Sequence, residues 1–98
     1  MIVSFGDKAT EDLFHNRETR RIRRYPAEIV RRALQQLDML NAARDLRDLR
    51  ASPGNRLELL KGDLKGYYSV RINDRWRLVF RWGPAEIHEV RIVDYHRG

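Results

Sequence analysis

Arg75-Trp76-Arg77-Leu78-Val79-Phe80-Arg81-Trp82 is the stretch whose reading decides the fold. In an extended chain successive side chains point to opposite faces, so Trp76, Leu78, Phe80 and Trp82 share one side and Arg75, Arg77, Val79 and Arg81 the other. An apolar face opposite an arginine-rich one is the pattern of an antiparallel strand with one side on a core and one in solvent. Just upstream, Asn73-Asp74 is a two-residue hairpin signal, and before it Tyr68, Val70 and Ile72 alternate with Tyr67, Ser69 and Arg71. Further back, Leu57 and Leu59 alternate with Glu58 and Leu60 until Lys61-Gly62-Asp63 turns the chain. Downstream, Gly83-Pro84 turns the chain into a last strand from Ala85 to about Val93, with Val90 and Ile92 on one face and Glu89 and Arg91 on the other. Ile87 and Val93 break that alternation, which calls for a bulge or for burial on both faces. Strands joined by such short turns run antiparallel, giving a twisted sheet of three or four strands.

The first half of the chain has the helical period instead. Asp7 reads as an N-cap for a short helix ending near His15 or Asn16, with Ala9, Leu13 and Phe14 inward. Pro26 suits the first position of a second helix, Glu28 favours its positive N-terminus, and Val30, Ala33, Leu34, Leu37 and Leu40 form its apolar stripe. Arg31, Arg32, Gln35, Asp38 and Asn41 form its outer face. A short strand over Ile2 to Phe5 precedes both helices, and Ala51-Ser52-Pro53-Gly54-Asn55 separates the two halves. The expected fold is α+β, one domain over residues 1–98, with an N-terminal strand and two helices on the Trp76, Phe80 and Tyr68 face of the sheet. Arg71, Arg77, Arg81 and Tyr67 are left on the opposite, open face, where cations and an aromatic ring could hold a phosphodiester chain and stack a base. The alternative is an ordinary solvated face carrying long cations. Trp76 and Trp82 belong to the core on this reading, and His15 and His88 are structural or surface residues.

Among the 98 residues, 20 basic and 14 acidic side chains leave a net charge of +6, and all but three of the basic residues are arginine. Arginine's planar fork binds phosphate bidentately and stacks on bases, so a polyanion or an acidic protein is the expected partner. Arg17-Glu18-Thr19-Arg20-Arg21-Ile22-Arg23-Arg24 concentrates five arginines between the two helices, as a solvated connector or as a phosphate clamp. No run of hydrophobic residues exceeds three, so no membrane span is expected, and the first residues lack a charged and apolar leader pattern. The reading is a cytoplasmic chain. With no cysteine and three scattered histidines, neither a disulfide framework nor a structural metal is expected.

Phosphate-binding glycine fingerprints, a Gly-x-Ser-x-Gly elbow and a His-Glu-x-x-His helix are all missing, which removes nucleotide hydrolysis and the common hydrolase nucleophiles. Three side chains able to move protons remain at the end of the sheet, in Asp94-Tyr95-His96. Neighbours on a strand point alternately, so they share a pocket only where the backbone bends, and by composition alone this is a polar tail.

Several segments, taken in order, carry a family resemblance. Gly54-Asn55-Arg56-Leu57-Glu58, Leu60-Lys61-Gly62-Asp63, Gly66-Tyr67-Tyr68-Ser69, Trp76-Arg77-Leu78-Val79-Phe80 and Val93-Asp94-Tyr95-His96 resemble the HigB toxins of bacterial toxin–antitoxin pairs, within the RelE/ParE superfamily. The resemblance covers essentially the whole chain. It implies an endoribonuclease without a cofactor that cuts messenger RNA in the ribosomal A site. It further implies silencing by a HigA-like helix-turn-helix antitoxin, through which operator DNA is contacted indirectly. Carried over position by position, it marks Lys61, Arg77, Asp94, Tyr95 and His96 as site residues. Where some members have a histidine shortly before the Lys-Gly-Asp turn, this chain has Glu58, a candidate base or orienting group.

The chemistry has its own demands. Cleavage without a metal needs the 2′-hydroxyl deprotonated for attack on phosphorus, the added negative charge stabilised, and the 5′-oxygen protonated as it leaves. Lys61 and Arg77 suit the charge, Asp94 or Glu58 the base, and His96 the acid, since an imidazole titrates near 6.5. Tyr95 suits stacking on a base or orienting the phosphate. Asp94 has a second option, holding His96 in one tautomer. So small a surface positions a flexible messenger poorly, so the ribosome is expected to supply orientation, with Arg20, Arg21, Arg23 and Arg24 as candidate contacts to its RNA. Two competing readings stay open: a ParE-like toxin acting on DNA gyrase, and a non-catalytic accessory module that tightens its antitoxin on operator DNA.

Overall fold

Asp7 opens the first helix as expected. The computed structural model describes residues 1–84 and 86–95, and in it the Asp7 carboxylate accepts a 2.8 Å hydrogen bond from the Thr10 backbone N–H at the start of α1 (Lys8–Phe14). Thr10 is fully buried, and its hydroxyl accepts from the Ile92 backbone N–H at 2.9 Å, which fixes α1 against the last strand. Asp12, 3% exposed, accepts from the Thr19 hydroxyl at 2.9 Å and from Arg21 at 3.0 Å, with Arg17 at 3.5 Å. The Thr19 hydrogen bond, then the two arginines, hold its carboxyl below the usual aspartate range despite burial. The arginine-rich connector is therefore partly anchored: it forms a 3₁₀ turn over Arg20–Arg24, and Arg24 reaches Asp7 at 3.7 Å.

The second helix, α2 (Ala27–Ala42), has Pro26 as its N-cap, so it starts one residue later than expected. Its buried side is Ile29, Ala33, Gln36, Leu37 and Leu40, so the expected stripe is rotated: Val30 and Leu34 lie at the half-buried margin, and Ile29 and Gln36 point inward. A glutamine is tolerated there because its Nε2 donates to the Arg71 carbonyl at 2.6 Å. A third helix, α3 (Leu46–Arg50), stands just before residues 51–55, in a stretch to which the sequence pattern assigns no element. It is closed by a capping box between Asp45 and Asp48, and it buries Leu49 completely. The turn over Pro53–Asn55 follows, held by Asn55, whose Nδ2 donates to the Leu49 carbonyl at 2.9 Å.

The sheet is antiparallel in the order β1 (Glu58–Leu59), β2 (Tyr68–Arg71), β3 (Trp76–Gly83), β4 (Glu86–Asp94). The expected N-terminal strand is reduced to two parallel bridges, Ile2 with Ile87 and Phe5 with Val90, along the free edge of β4. The expected bulge is present. Register passes from Val79↔Arg91 to Arg81↔His88, so β4 carries one extra residue there, and Glu89 has a φ of 56°.

Leu78, Phe80, Val70, Ile72, Ile87, Val90 and Ile92 form the sheet's side of the core, against Leu13, Ile29, Ala33, Leu37, Leu40 and Leu49. Trp76 and Trp82 pack on its margin, the former edge-on to Tyr25. The opposite face departs from expectation at its centre: Ser69 and Val79, paired across β2 and β3, are fully buried instead of open. No helix among the described residues is long and apolar enough to cross a membrane.

Candidate active site on the polar face of the sheet

Register decides which side chains meet on this face. Glu58 pairs with Ser69, Ser69 with Val79, and Arg71 with Arg77, so all five residues project from the side away from the helices. At the β2–β3 hairpin end of that face lies an open cleft of about 360 Å³ lined by Arg56, Glu58, Arg71, Asp74, Arg77 and Tyr95. Arg77 is its centre, with its side chain only 15% exposed. One guanidinium nitrogen donates to Ser69 Oγ at 2.8 Å and lies 2.7 Å from Glu58 Oε1, while the guanidinium carbon sits 5.2 Å from the centre of the Tyr95 ring. The cation is thus fixed in place by a buried hydroxyl, a carboxylate and an aromatic face.

Arg71 flanks it from the neighbouring strand and is paired with Asp74, the hairpin residue on the cleft rim. The hairpin itself is closed by Asn73, whose side chain accepts from the backbone N–H groups of Arg75 and Trp76 at 2.9 and 2.8 Å. Arg56 enters from the loop before β1 with a left-handed backbone (φ 45°) at the end of the Pro53–Asn55 turn. The cleft therefore holds three guanidinium groups and two carboxylates around one aromatic ring. Such a set can seat a phosphate, stabilise added negative charge on it, and place a carboxylate where a proton must be removed.

Of the residues singled out from sequence, the structure brings Glu58, Arg71, Arg77 and Tyr95 together. Asp94 is placed elsewhere. It pairs with Trp76 across the ladder, so it projects towards the helix side, and its carboxylate is bound bidentately by Arg75 at 2.7–3.0 Å. That contact holds the Arg75 guanidinium above the ordinary arginine range, through the hydrogen bonds first and then the charge. The adjacent Tyr95 N–H donates to the Arg75 carbonyl at 2.7 Å, so this knot sets the strand end that delivers Tyr95 to the cleft. Lys61 lines a different, apolar depression with Leu59, Leu60, Lys65 and Gly66. Tyr67 and Arg81 lie at the far end of the same face, beyond Ser69 and Val79. His96 lies outside the described residues. Arg56, Asp74 and Glu89 were not singled out from sequence. Each owes its position to a loop, a hairpin rim or a bulge, where the sequence pattern signals a turn or a break but not the direction of the side chain.

With the geometry in view, comparison with known proteins is decisive about family. Residues 3–96 match the model of the RelE-like toxin of the type II toxin–antitoxin system HigB. The chain belongs to the HigB-like toxin family. It is 40% identical over 82 residues to Toxin HigB-1 of Vibrio cholerae, covering 84% of each chain. It is also 30% identical over 96 residues to Endoribonuclease HigB of Proteus vulgaris, covering 98% of this chain and all of that one. Among solved structures, this HigB-like toxin is similar to the heterotetrameric YoeB-YefM toxin–antitoxin complex from Staphylococcus aureus. The TM-score is 0.59 at 26% identity, covering 99% of this chain and 97% of the matched one.

Proposed function

We propose that this HigB-like toxin is an endoribonuclease that cleaves messenger RNA on the ribosome, with the Arg77 cleft as its active site. The observation that carries the reading is Arg77 itself: a shielded guanidinium bound to Ser69 and Glu58 and facing Tyr95, in a chain of the HigB family. Similarity over nearly full length to a protein named as an endoribonuclease supports the reaction class.

In this mechanism Arg77, aided by Arg71 and Arg56, takes the negative charge that builds on the scissile phosphate. Glu58 is the base for the 2′-hydroxyl, favoured over Asp94 because it stands in the cleft while Asp94 is bound by Arg75. Phosphate entering the cleft competes with Glu58 for Arg77, and the displaced carboxylate is then available to accept a proton. Tyr95 stacks on a base or orients the phosphate, and His96, one residue further on, is the acid for the 5′-oxygen. The departing group and the proton balance: the 2′-oxygen forms a bond to phosphorus as the 5′-oxygen leaves, and a 2′,3′-cyclic phosphate results. Asp94 anchors the terminus that carries Tyr95 and His96, and Lys61 extends the basic surface beyond β1.

An open cleft on so small a surface positions RNA weakly, which favours the ribosome as the partner that supplies orientation. The antitoxin is the second partner, a HigA-like helix-turn-helix protein that bridges the toxin to operator DNA. The test is primer extension on one messenger, free and on programmed ribosomes, with the chain and its His96→Ala variant. Cuts that need both the ribosome and His96 are expected, and a single 2′-deoxy substitution at the scissile position should abolish them. Efficient cutting of free messenger would remove the ribosome requirement, and cutting undiminished by 2′-deoxy substitution would remove 2′-hydroxyl attack.

A further inference from the structure

We propose that Tyr67, Arg81 and Glu89 form a nucleobase subsite distinct from the Arg77 cleft, in which Glu89 holds Arg81 flat so that a base of the bound RNA stacks on it. The proposal rests on the ribonuclease reading and adds to it a determinant of where the messenger is cut.

The Arg81 guanidinium carbon lies 4.4 Å from the centre of the Tyr67 ring, the nearest such contact among the described residues. Glu89 ties both members together with its two oxygens: the Tyr67 hydroxyl donates to Oε1 at 2.7 Å, and Arg81 Nε donates to Oε2 at 2.9 Å. The Tyr67 hydroxyl is the first cause, with Glu89 behind it, that holds the guanidinium above the ordinary arginine range. One carboxylate therefore ties the cation and the aromatic ring together before any ligand arrives.

The backbone is bent to make this possible. Glu89 sits at the bulge of β4 with a φ of 56°, a conformation uncommon for a residue other than glycine. Bulges re-aim side chains, and this one places a carboxylate over the β2–β3 strand pair. On the other side, Gly66 has a φ of 91°, and a Cβ there would come within 3.5 Å of Arg81 Nη1. The Arg81 side chain nevertheless remains 48% exposed, so the guanidinium beside Tyr67 is still open to solvent.

The chemistry selects a base rather than a phosphate. Glu89 neutralises Arg81, so the subsite offers a rigid plane and little net charge, and planar guanidinium groups stack on nucleobases. Arg81 is four residues along β3 from Arg77, about 13 Å at the usual strand rise. Stacked nucleotides rising about 3.4 Å each cover that distance in roughly four steps, and splayed ones in fewer. The base on Arg81 thus lies two to four nucleotides from the scissile phosphate.

The test uses ribosomes programmed with messages that differ in a single base, at each of four positions on either side of a cut site. Cleavage rates are compared for the full-length wild type, Arg81→Lys and Glu89→Gln. Wild type is expected to prefer one base at one position two to four nucleotides from the cut by roughly tenfold. Arg81→Lys keeps the charge and loses the plane, so that preference should collapse to about twofold. Glu89→Gln keeps a hydrogen-bond partner for Tyr67 but frees Arg81, so the preference should fall part of the way. Thermal unfolding checks that each variant is folded, and Glu89→Gln carries the comparison if Arg81→Lys is not. Unchanged preference in the folded variants, or a uniform fall across all messages, overturns the subsite while leaving the ribonuclease reading intact. A wild type that cuts without base preference overturns the subsite alone, and one that cuts nothing overturns both.

Discussion

The two faces of β3 are stabilised in different ways. Towards the helices, Leu78 and Phe80 are fully buried in a continuous apolar cluster. Away from them, Val79 is equally buried, but it lies between Arg77 and Arg81, and each arginine is matched to a carboxylate: Arg77 to Glu58, Arg81 to Glu89, and across the hairpin Arg71 to Asp74. The helix face is a packing problem and the polar face a pairing problem. The three strand arginines of the polar face, Arg71, Arg77 and Arg81, are therefore not displayed as bare cations. On the proposed reading, phosphate displaces only Glu58 from Arg77 while Glu89 stays on Arg81, so the face is organised before its ligand arrives and part of its electrostatic attraction is held in reserve.

Perturbing the two faces should separate activity from stability. The largest effect is expected from Glu58→Gln, which keeps a hydrogen-bond acceptor for Arg77 but removes the base. Single-turnover cutting on programmed ribosomes should slow by about 10²–10⁴-fold with the thermal midpoint nearly unchanged. Leu78→Ala attacks the other face: equilibrium unfolding in urea should show a loss of about 2–5 kcal/mol, while the folded fraction retains its cutting rate.

A third perturbation acts through pH at the anchor of the arginine connector. Because the folded Asp12 carboxyl titrates below its unfolded value near 3.9, its contribution is complete above that value and lost as pH falls through the lower folded one. Wild type should thus be more stable than Asp12→Asn at neutral pH, and urea midpoints of the two should converge on acidification from about pH 5 downward. The smallest effect is expected from Ser69→Ala, which removes the hydroxyl that accepts from Arg77. It should cost about 0.5–1.5 kcal/mol of stability and reduce cutting modestly, placing the centre of the polar face between the two extremes.

These contrasts follow the boundary of what periodicity reveals. The alternation over 75–82 correctly gave the helix-facing row Leu78 and Phe80, and Asp7 was legible as a cap because its side chain and the Thr10 N–H are local partners. The breaks in alternation at Ile87 and Val93 left a bulge or burial on both faces open, and the register shows the bulge. Val79 was placed on the correct face, but its burial was not legible because a single-strand pattern does not show what covers the second face. The third helix has only 5 residues, too short for a stripe, although the Asp45-x-x-Asp48 spacing was there to be read. The inward rotation of α2 depends on Gln36 finding the Arg71 carbonyl, a partner 35 residues away.

The candidate site divides in the same way. Glu58, Arg71, Arg77 and Tyr95 were brought forward by alternation or by family resemblance, and register places them in one cleft. That Asp94 and Tyr95 separate was already contained in the rule that neighbours on a strand point apart. Arg56 and Glu89 depend on left-handed backbone at a loop and a bulge; the residue pattern pointed to the turn and the bulge but not to which side chain each would bring onto the polar face.

The central claim is that the Arg77 cleft is where RNA is cut, and the most direct measurement is the single-turnover cleavage rate of Arg77→Ala on messenger-programmed ribosomes. It is read beside the variant's thermal midpoint and its binding to the antitoxin. Loss of a preorganised cation facing the scissile phosphate should slow cutting by about 10²–10³-fold while the variant still folds and is still captured by its antitoxin. Cutting at the wild-type rate by a folded Arg77→Ala chain would contradict the account and move the active site off this face of the sheet.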